Sequence, residues 1–224
     1  MQCGSPWNNR LLYITCDRKC NRTDANHIRF SDFINSTVTW FGLRRNMSTC
    51  KQSPKFFNGE FTGCNRNCRG LCKETHRLAL FDHLRSSNIH VYCLQETHST
   101  ANDETNWTAE WDSTGALFHS NGKGDGTNGV AILLNHPNLA IISWHSDNEG
   151  RILTADSSLR SEIFHLTNIH APQSGYTVQF RLQFFDSLYC YIYSPHPTIF
   201  TGDFNMVENP SLDRDPPSTT NDPT

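Results

Sequence analysis

Three short apolar runs in this chain each stop abruptly at side chains that bind cations or phosphate. "IHVYCLQE" ends in Gln95 and Glu96, "TNIHAP" carries Asn168 and His170 just before Pro172, and "TIFTGDFN" ends in Asp203 and Asn205. Nearly continuous apolar runs of this length fit strands buried on both faces of a sheet, so their polar ends are expected to gather at a rim. Alternate side chains of a strand share a face. Asp203 and Asn205 are therefore expected to point one way while Phe204 points toward a core, and Asn168 and His170 to lie opposite Ile169. Gly202 permits a close approach to its backbone.

A carboxylate beside an amide oxygen is a hard-oxygen donor set, suited to Mg²⁺ or to holding and deprotonating a water. Taken alone, "GDFN" is equally a turn, because Gly, Asp and Asn dominate turns. His170 taken alone is equally a partly exposed histidine at a strand end. The coincidence of three strand ends of this chemistry favours a site.

Around these runs the pattern alternates between helix and strand. Leu78, Phe81 and Leu84 recur at helical spacing until Ser86, Ser87 and Asn88, which predicts a helix of three to four turns. A polar loop is expected after Glu96, and then "NGVAILLN", "LAIISWHS", "RILTADSSL" and "SEIFHLTNIHAP" as successive strands of a meander. From Tyr176 to Tyr193, Val178, Leu182, Phe185, Leu188 and Ile192 predict one helical face. Residues 1–62 show no sustained period and are expected to form an irregular, basic extension. The segment beyond Asn209, and residues 216–224 above all, reads as a flexible tail.

Charge is unevenly distributed: residues 1–77 hold 13 Lys and Arg against 5 Asp and Glu, whereas residues 78–224 hold 6 against 17. So acidic a main segment disfavours strong nonspecific nucleic-acid binding through phosphate neutralisation and suits divalent cations. Nine cysteines leave at least one unpaired, and without a recognisable signal segment reduced thiols inside a cell are expected. Cys16 with Cys20, and Cys64 with Cys68 and Cys72, have spacings a metal could use. No paired histidines accompany them. The sequons at Asn21, Asn35, Asn46 and Asn106 are of a kind frequent by chance in a Ser/Thr/Asn-rich chain. No apolar run is long enough to span a membrane.

With "NCRGL", "LFDHLRSSNIHVYCLQETHS", "GKGDGTNGVAILLN", "DNEGRIL", "TNIHAP", "RLQFFDSL" and "GDFNMVENPSLDR" in this order, residues 67–214 resemble the endonuclease/exonuclease/phosphatase superfamily. The pattern is similar to the apurinic-endonuclease-like domain of LINE-type (non-LTR) retrotransposons. The resemblance implies a four-layer α/β sandwich, two packed mixed β-sheets flanked by helices, over residues 63–215. It implies that Glu96 is a principal Mg²⁺ ligand (Mn²⁺ as substitute) and that Asn67 positions phosphate and metal. Asp203 would activate water or protonate the leaving oxygen, Asn205 would orient phosphate or metal, and Asp213 and Arg214, with Asn168, would lie on the substrate side. DNA is the implied substrate, nicked to leave a 3′-hydroxyl, in a nuclear setting.

Two departures qualify the match. His170 stands where the family has a Tyr that touches phosphate, and a Ser-Asp-His stretch expected on a late strand is not found before Thr224, so the sandwich is expected to be incomplete at the C-terminus. A noncatalytic domain that at most binds a partner is therefore the alternative to an endonuclease.

Overall fold

The computed structural model describes residues 11–15, 39–41, 48–50, 61–111, 115–192 and 194–205. One sheet has six strands in the spatial order β2 (Thr39–Phe41), β1 (Leu11–Thr15), β11 (Thr198–Asp203), β10 (Glu162–His170), β9 (Ile152–Leu159) and β8 (Leu139–Ser146). The other has five: β3 (Ser48–Cys50), β4 (Gly63–Asn67), β5 (Val91–Gln95), β7 (Val130–Leu134) and β6 (Gly115–His119). Both are mixed. β2, β1, β11 and β10 run parallel, and β9 and β8 continue antiparallel. In the five-stranded sheet β4 and β5 are parallel and the other pairings antiparallel.

Strand alternation sorts the apolar residues into layers. Val91, Cys93, Ile132 and Leu134 face Leu153, Ala155, Phe164, Leu166 and Ile199 and form the core between the sheets. The opposite side of the five-stranded sheet, Tyr92, Leu94, Ala131 and Leu133, packs under helices α1 (Glu74–Arg85) and α2 (Ala101–Trp111) through Phe81, Leu84, Trp107 and Trp111. Ile152, Ile169 and Phe200 on the six-stranded sheet pack against Phe184 of α3 (Val178–Ser187) and Leu188, which leads into α4 (Tyr189–Ile192). The chain thus adopts the four-layer α/β sandwich. Each fully buried Leu, Ile or Phe in these layers contributes about 1.5–3 kcal/mol by leaving water.

Several local expectations change. The meander holds only for β8, β9 and β10; β7 belongs to the other sheet, between β5 and β6. The stretch read as a polar loop contains α2 and β6. Helix α2 has only Trp107 and Trp111 as large apolar residues, and its start lies in a local cap: Thr100 N–H and Oγ1–H donate to Asp103 Oδ2 at 2.8 and 2.7 Å. In α1 the buried face is Arg77, Leu80, Phe81 and Leu84, while Leu78 is exposed. Arg77 takes a core-facing position because its Nε and Nη2 donate to Glu110 at 2.6 and 2.8 Å and its guanidinium lies 4.7 Å over the Trp107 ring. In α3 the buried residues are Arg181 and Phe184, with Val178 and Leu182 exposed. Apolar residues surround that helix so fully that periodicity could not single out one face.

The segment 1–62 is not wholly irregular, since β1, β2 and β3 lie in it and β1 pairs with β11 from Leu11↔Thr198 to Thr15↔Gly202. "LLYIT" is a run of strand type, four apolar residues and a threonine, too short for a period to show. A regular strand, β4, leads into Asn67. The tail 216–224 lies outside the described residues, as do Asp213, Arg214, Cys16, Cys20 and the sequons at Asn21, Asn35 and Asn46. Among the described residues no helix is long and apolar enough to cross a membrane.

Candidate active site

Four strand ends converge on one rim between the sheets. β4 ends in Asn67, β5 delivers Glu96, β10 ends in His170 and β11 ends in Asp203. His170 and Asp203 are register partners on adjacent parallel strands. One ligand atom each from Glu96, His170 and Asp203 lies within 4.8 Å of the other two, and Nε2 of His170 is 3.6 Å from Oε1 of Glu96. All three residues are buried, at 9%, 3% and 5% exposure respectively. Two carboxylates and an imidazole so close together and so far from water form a donor set that a cation would relieve, because buried like charges are costly.

Asp203 is aimed from two directions. Asn67 Nδ2–H donates to Oδ2 at 3.0 Å, and the backbone N–H of Asn205 donates to Oδ1 at 3.1 Å. The second bond is the Asx-type turn that "GDFN" alone suggested, so the stretch is a strand end and a turn at once. Asn205 lies past the strand in a left-handed conformation, φ 47°, and its Nδ2–H donates to Ala171 O at 2.7 Å. It meets Asp203 through its backbone and does not share the carboxylate's face by strand alternation. Phe204 does pack into a core, edge-on to Phe200.

Glu96 reaches the rim by breaking the strand pattern. Alternation would send it to the same side as Leu94, away from the inter-sheet layer, but its φ of 50° turns the chain out of register. Neighbouring backbone bonds hold that bend: Cys68 N–H to Gln95 O at 2.8 Å, Gly70 N–H to Glu96 O at 2.7 Å and Leu71 N–H to Thr97 O at 2.8 Å. Gln95 and Glu96, consecutive in sequence, thus both serve the space between the sheets.

Beneath the rim lies a polar clasp. Gln95 Nε2–H donates to Asn65 Oδ1 and to Asn168 Oδ1, each at 2.6 Å, while Asn65 Nδ2–H donates to Gly202 O at 3.1 Å. Asn168 Nδ2–H donates to both Leu94 O and Ala131 O at 2.9 Å. Asn168 shares a face with His170, as alternation requires, but it is fully buried, with its amide spent on the opposite sheet. That is a correction to its placement on the substrate side: it ties the sheets together. Asn65 and Arg151 were not singled out from sequence. Arg151 Nη1–H donates to His170 O at 3.1 Å, Nη2–H to Tyr176 Oη at 2.9 Å, and His170 N–H donates to Arg151 O at 2.8 Å. Its only sequence signal is a charged residue opening an apolar run.

Among the described residues no cysteine joins the group of Glu96, His170 and Asp203. Cys72, Cys93 and Cys190 are free thiols, and complete burial pushes the Cys93 thiol far up, leaving it protonated and inert. In the glycine-rich loop before β7, the side-chain amide of Asn121, with Thr127, holds Asp125 down at about 2. That carboxylate stays ionised on the surface.

Two mixed sheets sandwiched by helices, with carboxylates and an imidazole collected at strand ends, define an α/β sandwich with a candidate cation site at the sheet rim. The chain belongs to the endonuclease/exonuclease/phosphatase family, whose model matches residues 57–224. It is 29% identical over 140 residues to a Xenopus laevis protein described as the transposon TX1 uncharacterized 149 kDa protein, covering 61% of this chain and 10% of that one. The fold is similar to the AP endonuclease LMAP of Leishmania major, at a TM-score of 0.52 and 22% identity, over 66% of this chain and 56% of that one. The catalytic domain of Xenopus laevis APE2 gives 0.53 at 17% identity over 66% and 60%. The chain spans about a tenth of the transposon protein and less than two thirds of either structure.

Proposed function

We propose that this chain is a divalent-metal-dependent DNA endonuclease domain of the LINE retrotransposon type, cleaving a phosphodiester to leave a 3′-hydroxyl. The carrying observation is the buried cluster of Glu96, His170 and Asp203 within 4.8 Å, with Asp203 oriented by Asn67. Family membership supports phosphoester chemistry, and the likeness to a transposon protein supports the choice of DNA.

Glu96, Asp203 and His170 would hold the cation, Mg²⁺ or Mn²⁺, which when bound supplies Lewis-acid polarisation of a phosphoryl oxygen. Asp203, fixed through both oxygens, accepts the proton of the attacking water. The new P–O bond forms as the bond to the 3′-oxygen breaks, and that oxygen takes a proton from solvent water to become the 3′-hydroxyl. Asn67 keeps the Asp203 carboxylate from rotating away, so little reorganisation is needed when charge develops.

The test is nicking of supercoiled plasmid by the full chain in Mg²⁺ or Mn²⁺. Glu96→Gln and Asp203→Asn should each reduce the rate by about 10²-fold or more. Nicking at an equal rate by folded variants rejects the proposal. His170, in place of the expected Tyr, favours the second reading, a binding domain without turnover; wild-type chain that retains DNA yet never nicks it would support that reading.

A further inference from the structure

We infer that His170 makes the rim a mixed nitrogen and oxygen site that takes a first-row transition ion in preference to Mg²⁺, with Zn²⁺ held more tightly than Mn²⁺. The inference rests on the proposed cation reading of Glu96 and Asp203 and deepens it by naming the class of ion.

The geometry first places the imidazole as a donor. Its Nε2 stands 3.6 Å from Glu96 Oε1, longer than a direct hydrogen bond. Two donors that share an ion, each about 2.1 Å from it, can stand up to about 4.2 Å apart, so this gap accommodates bridging through a cation. The ring is also held ready. His170 is 3% exposed, its backbone is clamped on both sides by Arg151, and it sits in register with Asp203. Movement of the ring out of the site would open a buried gap beside two carboxylates.

Ligand chemistry then selects the ion. Mg²⁺ prefers oxygen donors in near-octahedral geometry and sheds its water reluctantly, whereas imidazole suits transition ions whose affinity rises from Mn²⁺ toward Zn²⁺. One nitrogen with two carboxylates leaves room for water or a phosphate oxygen in the remaining positions. Elsewhere among the described residues no other group of three such side chains comes together.

The experiment uses the full chain with the metals alone. Calorimetric titration with MgCl2, MnCl2 and ZnCl2 should give Mn²⁺ and Zn²⁺ affinities at least about tenfold above that of Mg²⁺, and His170→Tyr should weaken Zn²⁺ about 10–100-fold, by a clearly larger factor than it weakens Mg²⁺. Pulsed electron paramagnetic resonance of bound Mn²⁺ should show modulation from a directly coordinated ¹⁴N, absent in His170→Tyr. A Mn²⁺ complex of the wild type without nitrogen modulation overturns the inference whether or not the variant folds, as does an equal loss for all three ions. In those cases Glu96→Gln still abolishes binding and the cation reading stands. Wild-type chain that binds none of the three ions overturns that reading itself.

Discussion

Asn67 Nδ2–H donates to Asp203 Oδ2 at 3.0 Å, and this one bond joins the last residue of β4 in one sheet to the last residue of β11 in the other. The donor fixes one oxygen of a carboxylate whose other oxygen accepts from the Asn205 N–H. Asn67→Ala should therefore lower cation affinity and nicking together by about 10–100-fold, with thermal stability changed little. Parallel calorimetry and plasmid nicking check this. A variant with wild-type affinity and rate would show that Asp203 needs no such support.

The polar clasp under the rim makes a stability prediction. Asn168→Leu removes the donor to Leu94 O and Ala131 O and leaves Gln95 facing an apolar side chain. With buried carbonyls and an amide left without partners, unfolding free energy should fall by about 2–4 kcal/mol. Urea denaturation followed by circular dichroism reads this as a lower midpoint with an unchanged slope.

Among the described glycines, Gly202 is the position least able to accept a side chain. A Cβ there would lie 2.1 Å from Ile169 O on the neighbouring strand, and its φ of 149° belongs to glycine. Gly202→Ala should cost at least about 3 kcal/mol and displace Asp203, which follows it directly. A melting temperature within a degree or two of wild type would contradict the packing of β10 against β11.

Acid sensitivity should trace in part to the pair that clamps α1 to α2. Hydrogen bonds from Arg77 hold the Glu110 carboxyl below the usual carboxylate range. A carboxylate with a depressed folded-state value contributes stability above its unfolded value, near pH 4.3, and loses it as pH falls through the folded one. Glu110→Gln should cost about 1–2 kcal/mol at pH 7 and flatten the acid limb of the stability profile, as denaturation at stepped pH would show. A variant profile parallel to the wild type throughout would remove Glu110 from the account.

Three of the four strands that carry the rim, β5, β10 and β11, were legible because each is a short apolar run bounded by polar residues; β4, with the sequence GCNRN, was not. Glu96, His170 and Asp203 were legible as their ends for the same reason. What alternation could not supply was the turn of Glu96 into the site, which depends on a positive φ held by bonds to Gly70 and Leu71 from another segment. Nor could it supply the depth of Asn168, whose partners lie 74 and 37 residues away in sequence. Arg77 concealed the buried face of α1, because a charged side chain fills a position where periodicity looks for an apolar one. β7 was misassigned because a hairpin and a crossing between sheets look alike when both are short polar links.

The rim draws on both sheets, Asn67 and Glu96 from one and His170 and Asp203 from the other, and neither half alone carries the donor set. A partly folded chain with only one sheet assembled would present a single carboxylate and no site. Cation binding is therefore coupled to docking of the sheets, and a saturating ion should raise the stability of the fully assembled state alone, by about 2.7 kcal/mol at a hundred times its dissociation constant. The metal would act as a late fastener in folding, closing the sandwich at the edge where the chemistry takes place.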